Sequence, residues 1–152
     1  MNVRDLLASH PFSRGLSQAD LSELASHARV GQFPEGSVVF REGAAADALY
    51  LISSGRVALE QHVPGKGDFK LENLAAGDML GLSWLFPGSH WSLAARAVES
   101  TEALVIDAVE MRALMDGDPA LGLALAKHVV AQLYQRLERV RLQRLDVYRG
   151  PR

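Results

Sequence analysis

The sequence contains no cysteine and few residues arranged for catalysis. Without cysteine there are no disulfide frameworks, no metal sites built from thiolates and no cysteine nucleophile. The five histidines show neither His-x-His nor His-Glu-x-x-His spacing, so a metal site has little support. A Gly-x-Ser-x-Gly nucleophile elbow is also absent. We therefore expect a protein that is not an enzyme and holds no metal.

Long hydrophobic runs are missing as well. No stretch reaches the roughly 18 consecutive apolar residues that a membrane-spanning helix requires. The first residues, Met1–Asp5, are not followed by the apolar run of a signal peptide. The sequence therefore predicts a cytoplasmic protein that does not enter a membrane.

Charge is distributed unevenly along the chain, although the net charge is only -2. Residues 1–126 carry a charge of -7, whereas residues 127–152 carry +5. The basic segment includes Arg136, Arg139, Arg141 and Arg144, which spread around a helix at about 100° per residue. We interpret them as a solvated, salt-bridged helix exterior in preference to a nucleic-acid surface. Contact with the acidic body of a partner subunit is an alternative.

The middle of the chain has the pattern of an antiparallel β-structure. The first 28 residues are helical in pattern, with Ser17 as a helix N-cap. Short segments rich in Val, Leu and Ile then alternate with turn residues. These predicted strands lie near residues 29–33, 37–42, 48–53, 55–63, 68–74, 92–98 and 101–107. Seven strands without intervening helices are typical of a sandwich or barrel.

Helical periodicity returns in the last third. A short helix is predicted from Val109 to Met115, and a helix of about 28 residues follows Asp118, with Pro119 at its first position. Residues on alternating three- and four-residue steps form a heptad seam, which we predict to pair two subunits. That seam comprises Leu123, Ala126, Val130, Leu133, Leu137, Val140, Arg144 and Val147. For the first half of the helix, docking on its own sheet is an equal alternative.

Two stretches of glycine-punctuated sequence carry a family resemblance. The first runs from Gly36 to Gly43 and continues through the Leu-Tyr-Leu-Ile strand to Val57; the second is Leu74–Gly81. Together they resemble the cyclic-nucleotide-binding domain family over about residues 10–145. The resemblance implies a mainly β fold, a double-stranded β-helix (jelly roll) with flanking helices. We expect residues 1–118 to form the N-terminal helices and roll, and residues 119–148 the long dimerisation helix of the same domain.

The resemblance also locates a candidate ligand pocket in the segment after Gly81, the phosphate cassette. In nucleotide-binding members a glutamate directly after this glycine binds the ribose, and an arginine further along pairs with the cyclic phosphate. Here Leu82 stands at the glutamate position, and Trp91 or Ser92 at the arginine position. Loss of such a charge-assisted pair weakens binding by about 10²- to 10³-fold. The candidate pocket residues are Gly81, Leu82, Ser83, Trp84, Trp91 and Ser92.

Three aromatic residues in this segment have two interpretations. Trp84, Phe86 and Trp91 either pack a collapsed cassette or line a pocket altered for a different ligand. We expect a stand-alone regulatory or sensor module, a homodimer without a DNA-binding domain, that signals through its C-terminal helix. No cofactor is assigned; the candidate ligands are a cyclic nucleotide or another small anion. The alternative is a degenerate roll that binds no nucleotide and acts as a protein-interaction or assembly module.

Overall fold

The computed structural model describes residues 2–149, with side chains described through residue 144. The helices of this part are α1 (Val3–Ser9), α2 (Gln18–Ser26), α3 (Ala108–Gly117) and α4 (Pro119–Arg149). The strands are β1 (Ala28–Phe33), β2 (Val38–Phe40), β3 (Ala48–Ser54), β4 (Arg56–Val63), β5 (Gly67–Ala75), β6 (Ala94–Ala97) and β7 (Thr101–Asp107). Short 3-10 helices occupy Pro11–Ser13 and Ser83–Leu85.

Side-chain caps begin the principal helices where the sequence places them. The hydroxyl oxygen of Ser17 accepts a hydrogen bond of 3.1 Å from the amide of Asp20. Asp107 accepts in the same way from Glu110 at 2.9 Å. Before α4, the carboxylate of Asp118 accepts from the amide of Leu121 at 3.2 Å. Each cap satisfies an amide that has no partner within its own helix, and the predicted N-caps Ser17 and Asp118 are confirmed.

The strands form two antiparallel sheets, which confirms the expected mainly β roll. One sheet has the order β1-β7-β3 and the other the order β2-β6-β4-β5. The seven described strands correspond to the seven predicted segments, but β2 and β6 are shorter than predicted; in β6, Ser92, Leu93 and Val98 lie outside the strand. The fully buried Leu51, Leu104 and Val57 belong to one hydrophobic core cluster, to which both sheets contribute.

Helix α4 has two different apolar faces. Leu121, Leu125 and Val129 are buried in the core cluster, so the first half of the helix docks on its own domain. The residues of the predicted seam point elsewhere and are exposed by 46–63%: Val130, Leu133, Leu137 and Val140. Arg144 on the same seam is also exposed, and the side chain of Val147 lies outside the described residues. The helix therefore has one face that docks on its own domain and a second, exposed face that carries the predicted seam.

No described helix of this chain is both long enough and apolar enough to cross a membrane.

Gly55 lies in the turn between β3 and β4, which closely approaches the connection between β6 and β7. Gly55 has a φ of +98°, in the left-handed region that favours glycine. A Cβ atom added there would lie 2.5 Å from the carbonyl oxygen of Ser100 and would overlap the hydroxyl of Thr101. That hydroxyl accepts a hydrogen bond from the amide of Arg56 at 3.2 Å. The turn therefore has neither the backbone freedom nor the space for a side chain.

We predict that Gly55→Ala lowers the free energy of unfolding by about 3 kcal/mol, the combined effect of left-handed strain and overpacking. Gly43→Ala is the matched control, because Gly43 has a φ of +85° but no atom within 4 Å of an added Cβ. The control should lose only the strain contribution, about 1–2 kcal/mol. Urea unfolding of both variants measures the difference, and equal losses would contradict the steric explanation.

Candidate ligand pocket

A pocket of about 160 Å³ lies between the cassette, the inner surface of the roll and α4. Five of the six candidate residues line it: Gly81, Leu82, Ser83, Trp91 and Ser92. The structure adds lining residues from the strands, the adjacent loops and α4: Phe40, Leu59, Leu80, Leu93 and Arg136. Residues from separate parts of the chain thus meet at the site that the resemblance implies.

Trp84, the sixth candidate, does not line this pocket. It is fully buried beneath the cassette, where its indole N–H donates to the sulfur of Met79 at 3.4 Å. Its carbonyl oxygen accepts a hydrogen bond of 2.6 Å from the guanidinium of Arg112 on α3. Trp84 therefore packs the 3-10 helix of the cassette onto the domain, in accord with the packing interpretation of this residue.

Trp91 forms part of the wall of the pocket. Its ring stacks on Phe40 with a centroid distance of 4.0 Å and an interplanar angle of 10°. Hydrogen bonds of 2.8 Å hold its backbone on both sides, from its amide to Ala44 and from the amide of Gly43 to its carbonyl. A Cβ atom added to Gly81 would overlap the Trp91 ring, so only glycine permits this packing. The cavity is smaller than the about 300–1,000 Å³ of ordinary ligand pockets.

The cassette contributes no charged side chain to the pocket. Its lining residues are apolar or neutral: Leu82, Ser83, Trp91 and Ser92. The cassette itself therefore offers an anion only hydroxyl groups and backbone amides. Within the part of the chain that the structure describes, neither histidine nor a carboxylate lines this cavity. No described group of three His, Asp or Glu side chains is placed to hold a metal ion. Among the described residues that line the cavity, none is a carboxylate or an imidazole that could act as a general base.

Arg96, the nearest arginine in sequence to the cassette, faces away from this pocket. Its guanidinium pairs with Glu60 at 3.1 Å and donates to the carbonyl of Gly36 at 3.0 Å. Together with Glu60 it lines a separate surface groove that also contains His62. Arg96 therefore stabilises the outer face of the sheet, and it does not substitute for the missing cassette arginine.

The charged side chain in the pocket comes from α4. The side chain of Arg136 is only 15% exposed, and its guanidinium donates to the carbonyl oxygens of Met79 and Leu80, the latter at 3.1 Å. Burial lowers the pKa of Arg136 from its ordinary value, whereas the nearby carboxylate of Glu72 acts to raise it. An arginine remains protonated at neutral pH under such shifts. The pocket thus contains one fixed positive charge.

The interpretation of the basic helix as a solvated exterior is wrong for Arg136. The helical spacing places this residue in line with Leu125 and Val129 on the face that docks against the roll. This spacing is the signal in the sequence that Arg136 faces the roll. It is weak, because an arginine does not continue a hydrophobic pattern. Phe40 carries no comparable signal, because a buried aromatic residue on a short strand is ordinary core. Arg141, in contrast, is 68% exposed and pairs with Glu138 on the same helix.

A family model described as the cyclic nucleotide-binding domain matches residues 30–118. The chain is 29% identical over 133 residues to the cyclic AMP receptor protein of Thermus thermophilus, covering 88% of this chain and 60% of that protein. It is also 29% identical over 116 residues to a candidate potassium channel protein of Rhodopseudomonas palustris, covering 76% and 28% respectively. The chain therefore spans less than two thirds of the length of these relatives.

A similar solved structure extends the comparison to three dimensions. The crystal structure of a candidate cyclic nucleotide-binding protein from Geobacter metallireducens superposes with a TM-score of 0.80 at 28% identity. The match covers 90% of this chain and 99% of that one. The two-sheet roll with its long helix is accordingly the jelly roll of this family. The family model matches more than half of the length of this chain. The chain therefore belongs to the cyclic nucleotide-binding domain family.

Proposed function

We propose that this chain is a regulatory sensor module with a non-standard phosphate cassette that signals by changing how α4 docks against the roll. The observation that carries the proposal is Arg136, which belongs to α4 and lines the pocket behind the cassette. A ligand in this small cavity would contact Arg136 and therefore α4 itself. Occupancy of the pocket and docking of the helix are therefore coupled, and coupling of this kind shifts a two-state equilibrium.

The seam on α4 supports a homodimer as the signalling unit. Four apolar side chains at three- and four-residue spacing are exposed along one stripe, although the helix already buries another face in its own domain. Such a stripe is typical of a two-helix seam, because pairing removes it from water. In a homodimer, a change in the docking of either helix would alter the geometry of both subunits.

A second function is favoured by the aromatic packing. Trp91 and Phe40 stack closely on each other in the lining of the pocket, and this core-like packing stabilises the roll without a ligand. A roll of this kind would serve as a protein-interaction or assembly module, with the α4 seam as its docking surface. Because both functions use the same seam, only ligand binding separates them.

We predict that the chain binds cyclic AMP weakly, and that Leu82→Glu combined with Ser92→Arg increases the affinity by about 10²-fold through a restored charge-assisted pair. Calorimetric titration with cyclic AMP and cyclic GMP measures both affinities. Leu82→Glu combined with Ser89→Arg is the matched control, since Ser89 lies in the same loop but outside the pocket lining.

Micromolar binding of cyclic AMP by the unsubstituted chain would contradict our interpretation of Leu82 and Ser92. The absence of any response to cyclic nucleotides, in both the unsubstituted and the restored chain, would favour the interaction module.

We predict that Leu137→Asp converts a dimer into a monomer, because the carboxylate would have to be buried within the seam. Light scattering measures the mass directly. Leu142→Asp is the matched control: Leu142 is 57% exposed, close to the 59% of Leu137, but lies on the opposite side of the helix. An unchanged mass for Leu137→Asp, or dissociation of both variants alike, would contradict the seam.

A further inference from the structure

One acidic residue of β5 stands between two arginines of α4. Arg139 pairs closely with Glu72, with 2.8 Å between the guanidinium nitrogen and the carboxylate oxygen. The Arg136 Nε atom lies 3.9 Å from the other carboxylate oxygen, a long contact. The side chains of Glu72 and Arg136 are only 21% and 15% exposed, whereas that of Arg139 is 42% exposed. We call Glu72, Arg136 and Arg139 the helix latch.

The helix latch is not electrically balanced. One carboxylate faces two guanidinium groups, and the buried Nε of Arg136 has no hydrogen-bond partner within the described residues. Asp78 also favours the charge on Arg136, but from a greater distance: it forms no ion pair with either arginine among the described contacts, and its carboxylate accepts a hydrogen bond of 2.9 Å from the amide of Ala75. A buried donor without a partner is costly, and a buried cation without full compensation more so. The cluster therefore has the capacity to bind one further anionic group.

The same guanidinium reaches the pocket. Arg136 lines the cavity together with Leu82 and Trp91, and its remaining hydrogen bonds go to the carbonyl oxygens of Met79 and Leu80. Carbonyl oxygens are neutral acceptors, and an ionised acceptor forms hydrogen bonds that are about twice as strong. An anion in the pocket would thus compete with them successfully.

Resting on the sensor function proposed above, we infer that Arg136 is the charge partner of a singly charged ligand in this pocket and that Glu72 competes for it in the ligand-free state. The ligand would carry one anionic group, such as a phosphodiester, on a planar or apolar body that packs against Trp91. Binding would draw Arg136 away from Glu72 and from the carbonyl oxygens of Met79 and Leu80. Because Arg136 belongs to α4, the anion is sensed directly by the helix that signals.

The binding test uses cyclic AMP and its uncharged analogue adenosine as probes. Arg136→Gln should weaken the binding of cyclic AMP by about 10- to 100-fold, the effect of losing a charge-assisted pair, and leave adenosine unchanged. Arg141→Gln removes the same charge from the exposed side of α4 and is the matched control. Glu72→Gln should strengthen the binding of cyclic AMP, because its competition for Arg136 is removed. Arg136→Lys keeps the charge and should bind between the unsubstituted and Gln forms.

The ligand-free test measures the latch alone. Hydrogen exchange of the backbone amides in residues 132–144 should become about tenfold faster in Glu72→Gln, because the ion pairs that hold this part of α4 are weakened. Glu138→Gln, which removes only the exposed pair with Arg141, should leave this exchange nearly unchanged.

The outcomes separate the two proposals. Equal effects of Arg136→Gln and Arg141→Gln on cyclic AMP, or equal binding of cyclic AMP and adenosine, would overturn Arg136 as the charge partner. Cyclic AMP binding that appears only in Glu72→Gln would support competition by Glu72. If no form binds either probe, the ligand part of the inference is overturned together with the sensor function, whereas faster exchange in Glu72→Gln would still establish the latch. Unchanged exchange would overturn the latch itself.

Discussion

The docking of α4 on the roll is the contact on which the pocket and the exposed apolar stripe of α4 both depend. Leu125 and Val129 anchor the first half of the helix in the core. That anchor fixes the rotation of the helix about its axis, because residues three and four apart share one face. The rotation in turn directs Arg136 into the pocket and Leu137 toward solvent. A different rotation would lose the charged pocket and the apolar stripe together.

The strands and the long helix follow from hydrophobic period and turn residues, and they could be predicted closely from the sequence. The boundaries of β3, β4 and β7 lie within one residue of the predicted segments. These elements are set by local patterns that a single chain displays. The turn at Gly55 is likewise set by a local pattern, because a positive φ is a local property of the backbone.

The site was harder to predict because its residues meet only through tertiary packing. The cassette candidates were found through resemblance, and five of the six line one cavity. Trp84 packs below that cavity, where its indole is fully buried and its backbone carbonyl accepts a hydrogen bond from Arg112 of α3. Arg136 lies more than 40 positions beyond the cassette along the chain, and nothing in the local sequence connects it to Leu80. The contact between Arg136 and Leu80 depends on the rotation of α4 about its own axis.

The uneven charge of the chain acquires a structural meaning from these contacts. Two of the basic residues in the C-terminal segment, Arg136 and Arg139, lie against the acidic roll at Glu72. Part of the attraction between the acidic and basic segments therefore acts within one subunit. These groups are partly buried, so salt screens their attraction less than it would at the surface. An uncharged helix would dock by hydrophobic contact alone and could not respond to an anion. In the function proposed above, Arg136 lies between a carboxylate and the pocket, so that the docking of α4 depends on the charge of whatever occupies the pocket.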